Sequence, residues 1–522
     1  MSLSLVLLYI VGSFATGLQS LPFFSLLFYP VLLNYTRKQW KNNILAFIVN
    51  TLAVSTATLT TFDIVYGTPP FTHFSRVLVY AAVNNLFIII STLIDRLAFI
   101  NKNSGVWTRV LLFPCMWTYL WHIHDYYGDG SGYSNSTSDW AAWAQIVDLG
   151  GKSLLDWLLA LFGTCLLEYD TWSKLYFQWK ESSSISATES SLTTTTATTE
   201  TKHIPSVNQA HSSLSSRLSK IRLQLLLHPL SLYMIVVGLL YVYGEVKSSI
   251  RRGAFFQKPI KDWAPDTIPV ACVIGSGGFD MELRSNYSHW MDKSIDASQR
   301  GAKLVLWSEE VVLTETLQDE ERLRAMAIKV AMEQHIYLVI AYDRQFPTNH
   351  NMAVLISPQG DILIDYIKAN PVPFDEDNEP GPGVLLYVDI PEFGRIGLVI
   401  CYDLSMPKFI RQAGQNNVDV LLQPAFNWGA GAPSVLRNQQ LRPIENGFTL
   451  FRCVSQGISG IIEPVIHGHY EQKTVTISNS VYIFNLPLQQ RIKTLYSDYI
   501  GDFVPMTSLA FSIVILTRLH FF

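Results

Sequence analysis

Charge is what this chain is short of. Only 15% of its 522 residues are Asp, Glu, Lys or Arg, against roughly 25% in soluble globular proteins. The formal net charge is −4 and no basic stripe or tail stands out, which argues against a nucleic-acid surface. Cysteine is scarce as well. Cys115, Cys165, Cys272, Cys401 and Cys453 are too few and too scattered for a disulfide framework, and no C-x-x-C pair offers zinc a site. Their default reading is as small buried hydrophobes, with Cys401 set apart by its surroundings. What the chain has instead is apolar length. It is 49% hydrophobic with a mean hydropathy of +0.20, the balance of a membrane protein.

Eight apolar segments are long enough, or nearly so, to cross ~30 Å of hydrocarbon. They cover 3–18, 22–35, 44–62, 77–100, 106–121, 154–169, 223–243 and 503–519. The first has no basic leading region and no small-residue cleavage site before a soluble domain, so it reads as a retained helix. Basic residues fall in the loops after even-numbered segments: Arg37, Lys38 and Lys41, then Arg96, Lys102 and Arg109, then Lys174, Lys180, Arg217, Lys220 and Arg222. The positive-inside rule then puts both termini in the cytoplasm and the region after the seventh segment on the far side. Sequons at Asn135 and Asn286 fall on that far side as glycosylation candidates, while Asn34-Tyr-Thr falls on the cytoplasmic one.

The organisation expected is a six-helix membrane bundle (1–181) and a Ser/Thr-rich disordered cytoplasmic loop (182–222). A seventh transmembrane helix (223–244), a linker (245–267), a catalytic domain (268–495) and a C-terminal transmembrane helix (503–519) complete it. In the catalytic region short β-type runs at 268–274, 302–306, 336–341, 353–356, 383–388, 395–400, 418–422 and 474–484 have candidate helices between several of them, at 320–333 and 408–415 for example. That alternation predicts an α/β domain with covered sheets.

Three of its segments end in groups suited to acyl chemistry: Leu304-Val-Leu-Trp-Ser-Glu-Glu310, Tyr366-Ile-Lys368 and Gly397-Leu-Val-Ile-Cys401. A cysteine at a strand-to-helix turn meets backbone N–H groups that lower a thiol pKa and receive an oxyanion, here the Tyr402 amide. Lys368 supplies a fixed positive charge for that oxyanion. Glu309 or its neighbour Glu310 supplies a carboxylate to take the thiol proton, and spacing alone does not choose between them.

This Glu…Lys…Cys set, each closing a strand, resembles the nitrilase or carbon–nitrogen hydrolase superfamily. The resemblance implies an α-β-β-α sandwich and a cysteine acyl-enzyme. Val418-Asp-Val-Leu-Leu-Gln-Pro, Arg442-Pro-Ile-Glu-Asn-Gly447 and Arg452-Cys-Val-Ser-Gln-Gly-Ile-Ser459 extend it. With the apolar segments added, the chain is most similar to the membrane-embedded apolipoprotein N-acyltransferases. Their Trp-Pro-Glu resembles Trp307-Ser-Glu309, which favours Glu309 over Glu310. Their Lys-x-x-Leu-Val-Pro-Phe-Gly-Glu resembles the run from Lys368 to Glu376, placing Glu376 at that family's additional glutamate. Cys401-Tyr-Asp403 stands for Cys-Tyr-Glu, and the Phe113-Pro…Trp117 and Asp148-Leu-Gly-Gly-Lys-Ser segments look like its fifth and sixth helices.

The departures are Ser308 for proline, Asp375 for glycine, Asp403 for glutamate, and Trp121 near a helix-five glutamate. The Ser/Thr-rich loop and the sequons suggest a eukaryotic relative in an endoplasmic reticulum or plasma membrane. The resemblance implies transfer of a fatty acyl group from a phospholipid donor to an amine acceptor, protein or lipid, without cofactor, metal or nucleic acid. Glu309, Lys368 and Cys401 would be catalytic; Glu376 would orient the base or the lysine, and Tyr402 and Asp403 would shape the acyl end. The rival readings are a membrane-tethered amidase using the same residues and a non-catalytic lipid-binding scaffold.

Overall fold

A computed structural model describes residues 3–17, 20–65, 69, 71–101, 104–128, 132–181, 219–255, 267–275, 280–373 and 375–521. The core of the Ser/Thr-rich segment, 182–218, and 256–266 of the expected linker lie outside the described residues.

Among the described residues thirteen strands build the C-terminal half: β1 (Thr267–Val273), β2 (Leu304–Trp307), β3 (Val312–Thr314), β4 (Tyr337–Arg344), β5 (His350–Ile356), β6 (Ile362–Ile367), β7 (Leu386–Ile390), β8 (Gly394–Leu398), β9 (Val420–Phe426), β10 (Thr449–Ser455), β11 (Ile458–Ile462), β12 (Gln472–Val475) and β13 (Val481–Pro487). They form two sheets, ordered β13-β1-β2-β4-β5-β6, with β3 beside β4, and β12-β11-β10-β9-β8-β7. Each sheet carries one pattern. Three parallel strands (β1, β2, β4 in one, β8, β9, β10 in the other) are followed by antiparallel ones, and one further antiparallel strand closes the far edge.

The period of two along each strand decides what goes where. In β1 and β2, Val270, Cys272, Leu304 and Leu306 join the core shared with the second sheet. Ala271, Val273, Val305 and Trp307 face the covering helices. The helix Tyr287–Gln299 buries Tyr287, Trp290, Met291, Ser294 and Ala297, one stripe at helical spacing. The helix Leu317–Gln334 starts at a Thr316–Asp319 capping box and ends at His335 in the left-handed conformation. Both helices pack on the first sheet, and the helix Pro407–Gln415 sets Phe409, Ile410 and Ala413 against strands of the second, the α-β-β-α arrangement expected.

Several expectations need correction. The run read as one strand at 474–484 is two strands in different sheets, because the chain crosses between them through a turn with Asn479 at φ 57°. The seventh apolar helix runs Pro229–Phe255 rather than 223–243, since a turn at Leu227 and His228 breaks the segment and proline opens the next helix. Cys272 and Cys453 are bonded to each other across the sheets, joining β1 to β10. Their spacing of 181 residues hid the pairing, which only the stacking of the sheets creates. Asn135 is also not an open glycosylation site: Asn135, Ser136 and Thr137 are all buried, leaving no room for a glycan.

The N-terminal half is helical: Leu3–Ala15, Pro22–Thr36, Lys41–Val65, Phe74–Ile100, Val106–His124 and Lys152–Leu167, with Phe503–Phe521 at the other end of the chain. Among the described residues, three helices could cross a membrane by length and composition, Lys41–Leu59, Phe74–Ile100 and Pro229–Ile250. A fourth candidate is Ala141–Gly150 with Lys152–Leu167, bent by 116°. The bend sits at Gly151, whose φ of +68° and contact with the Tyr496 ring exclude a side chain. Aromatic rings fill the helical core, where Phe28, Trp117, Trp121 and Tyr133 pack together. Leu441, Ile444 and Ile466 of the sandwich join that same core.

Candidate active site

The site forms where β2, β6 and β8 end. Glu309 follows β2, Lys368 follows β6 and Cys401 follows β8, so sheet geometry delivers three distant residues to one edge. All three are buried. Lys368 Nζ donates to Glu309 Oε1 at 2.7 Å and to Glu376 Oε1 and Oε2 at 2.7 and 2.8 Å. Asn351, in β5, donates to Glu309 Oε1 at 2.9 Å and reaches Glu310 Oε1 at 3.5 Å. Glu309 is thus held from two sides with its carboxylate on the lysine. Glu310 turns away in a left-handed backbone conformation (φ 54°), and Arg284 donates to its carbonyl.

The nucleophile turn is strained and tightly tied. Cys401 has φ 44°, a conformation that persists in a non-glycine residue only when its surroundings enforce it. Here Gln423 and Gln439 donate to the Cys401 carbonyl at 2.9 and 3.3 Å. Asp403 accepts from the Ile400 amide at 3.0 Å and the Tyr366 hydroxyl at 2.8 Å with one oxygen. Its other oxygen accepts from the Asn370 amide and side chain, both at 2.8 Å. Asp403 was expected to shape an acyl site, but it is fully buried beneath the turn, tying the cysteine segment to the lysine segment. The thiol itself lies 3.4 Å from the Phe426 carbonyl.

Electrostatics oppose a resting thiolate. Burial pushes the Cys401 thiol well above its ordinary range; Glu309 and Glu376 add to this and Lys368 opposes it. Burial would lower the Lys368 ammonium, but Glu309 and Glu376 reverse that and hold it firmly charged. Glu376 is itself raised by burial and by Glu309, with Lys368 pulling the other way. Glu310 is raised well above the carboxylate range by burial, then by Asp343 and Glu309. The arrangement suits a thiol that ionises only as its proton passes to a carboxylate, next to a cation ready to receive an oxyanion.

Two departures have a physical account. Ser308 donates its N–H to the Val273 carbonyl at 2.9 Å, which proline cannot do, and its hydroxyl accepts from the Gly275 amide at 2.8 Å. Asp375 pairs with Arg76 of the helix Phe74–Ile100 at 2.8 Å. Tyr402 also leaves the sandwich: its hydroxyl donates to the Tyr127 carbonyl, just past the helix Val106–His124, at 2.8 Å. Sequence reasoning missed Asn351, Gln423 and Gln439. The available signal was polar amides within or beside apolar runs, such as Gln423 inside β9.

Residues 270–480 match the family model described as carbon-nitrogen hydrolase. Apolipoprotein N-acyltransferase of Rickettsia prowazekii is 27% identical over 176 residues, 29% of this chain and 34% of that protein. A formamidase of Bacillus cereus is 27% identical over 126 residues, 24% of this chain and 38% of that enzyme. The chain spans about a third of the length of the curated relatives it matches. Among solved structures, a mutant amidase from Nesterenkonia sp. AN1 in complex with butyramide is 19% identical with a TM-score of 0.38, covering 42% of this chain and 91% of that one.

Proposed function

We propose that this chain, which carries a carbon-nitrogen hydrolase domain over residues 270–480, is a membrane N-acyltransferase that moves a fatty acyl group from a phospholipid to an amine through a thioester on Cys401. The observation that carries this reading over a soluble-amidase one is the seating of the nucleophile turn on the helical region, through Tyr402 and Tyr127. The chain's outward apolar surface supports it too. Only 17% of the apolar window in Pro229–Ile250 is buried, a face that water disfavours and lipid accepts.

In this mechanism Glu309 takes the thiol proton as the thiolate attacks the ester carbonyl. Lys368, with the Tyr402 amide, receives the oxyanion. All three Lys368 donors are already engaged, two of them on one carboxylate, so the second bond to Glu376 is the one an oxyanion replaces. Collapse breaks the ester C–O bond, Glu309 returns the proton to the departing lysophospholipid, and a thioester remains. An amine then attacks the thioester and Glu309 takes its proton. The new tetrahedral adduct expels the cysteine sulfur, which recovers the proton, and an amide is released.

The catalytic domain faces the lumenal or extracytoplasmic side in this reading. A buried disulfide between Cys272 and Cys453 supports that, since such bonds persist in oxidising compartments. A membrane-tethered amidase is the second reading, favoured by the similarity to formamidase. The test supplies detergent-solubilised protein with phospholipid bearing a labelled acyl chain, an amine panel and, separately, small amides. Equal amounts of lysophospholipid and amide-linked acyl product support acyl transfer. Ammonia from a small amide with no lysophospholipid overturns it in favour of the amidase.

A further inference from the structure

One buried charge beside the nucleophile takes no part in the chemistry described so far. Arg452, in the middle of β10, is fully buried, and its Nε and Nη1 have no hydrogen-bond partner among the described residues. Other buried arginines of the sandwich have carboxylates: Arg284 has Asp343 and Arg442 has Glu445. Among the described residues Arg452 has none. An uncompensated buried cation is costly enough that its position calls for a use.

Its surroundings lead to the thiol by two routes. Arg452 stands opposite Gln423 in the parallel β9–β10 register, so the two side chains leave on the same face, and Gln423 donates to the Cys401 carbonyl at 2.9 Å. The Asn427 amide is oriented here so that both its ends find partners. It then accepts from Arg452 Nη2 at 2.8 Å and donates to the Phe426 carbonyl at 3.3 Å. The Phe426 carbonyl is the group that faces the Cys401 thiol, at 3.4 Å.

The local charge balance gives the cation a purpose. Glu309 and Glu376 flank the single ammonium of Lys368, so these three groups sum to a formal charge of minus one before the thiol ionises. We propose that Arg452 is a positioning residue that sets the reactivity of Cys401, its guanidinium offsetting the excess negative charge and acting on the thiol through Asn427 and the Phe426 carbonyl. Burial pulls Arg452 down to about 10, opposed by Cys401 when its thiol ionises, so it remains cationic at neutral pH. This rests on Cys401 being the nucleophile and specifies what makes it reactive.

The test is carboxamidomethylation of Cys401 by iodoacetamide in the full-length, detergent-purified protein at pH 7–9. The thiolate displaces iodide and forms an S–C bond, and peptide mass separates Cys401 from the other free cysteines, Cys115 and Cys165. Arg452→Gln is expected to slow the reaction about tenfold, equivalent to one pKa unit. Arg452→Lys, which keeps the charge, is expected to stay within about threefold of the unmodified protein. Equal rates in folded Arg452→Gln, or an Arg452→Lys as slow as Arg452→Gln, overturns the proposal. Should Arg452→Gln not fold, Asn427→Leu serves: a rate reduced about threefold supports the relay and an unchanged rate overturns it. A folded protein whose Cys401 gains no fatty-acyl mass on incubation with phospholipid would instead sink the nucleophile assignment itself.

Discussion

Lys368 has three donor protons, and three carboxylate oxygens receive them. That single residue joins the site's stability to its chemistry. Lys368→Met leaves Glu309 and Glu376 facing each other without a cation, and breaking a buried pair from one side costs roughly 3–5 kcal/mol. The expected result is a clear fall in melting temperature in detergent, together with loss of at least ~10²-fold in acyl transfer. Glu310 behaves in the opposite sense. Burial, Asp343 and Glu309 raise its carboxyl, so the folded protein binds that proton more tightly than the unfolded chain does. The stability it contributes is full below its unfolded pKa of about 4.3 and is lost as pH rises through the folded value. Glu310→Gln, which cannot ionise, should therefore melt about 2 °C higher than the unsubstituted protein at pH 8, with the gap closing near pH 4. Glu309, Lys368, Glu376 and Cys401 were legible because each follows an apolar run or continues a motif. Asn351 and Arg452 were not, since a polar side chain inside a strand does not announce which distant group it will meet.

The period-two pattern made the strands visible, but their assignment to sheets depends on turns. Thr474 to Phe484 reads as one run of mixed polarity, yet Asn479 turns the chain from the second sheet into the first. The disulfide shows the same limit, as Cys272 and Cys453 become neighbours only when β1 stacks against β10. Closing so long a loop should stabilise the sandwich by about 2–4 kcal/mol. Cys272→Ala with Cys453→Ala should lower the unfolding midpoint accordingly, with Cys401 alkylation retained below that midpoint. An unchanged midpoint would mean the bond is absent from the purified protein.

At the scale of the whole molecule, the helical region and the sandwich share a core and meet beside the nucleophile turn. The apolar segments were legible from composition, whereas the 116° bend at Gly151 was not, because only the contact with Tyr496 requires it. Orientation has its own check. Asn286 is exposed at the start of the helix Tyr287–Gln299, while Asn135 is buried. With the sandwich in the lumen of a eukaryotic secretory membrane, endoglycosidase should shift the protein's mobility, Asn286→Gln should abolish the shift, and Asn135→Gln should leave it intact. A shift that survives Asn286→Gln would count against this arrangement.

The proposed acyl transfer requires a lipid-derived thioester at Cys401, and intact mass measures it most directly. Detergent-purified protein and its Cys401→Ser variant are incubated with phospholipid and no amine. The expected result is one fatty-acyl mass added to the unsubstituted protein, labile to hydroxylamine and missing from the variant. A folded protein that gains no such mass, or a variant that gains it equally, would contradict the account.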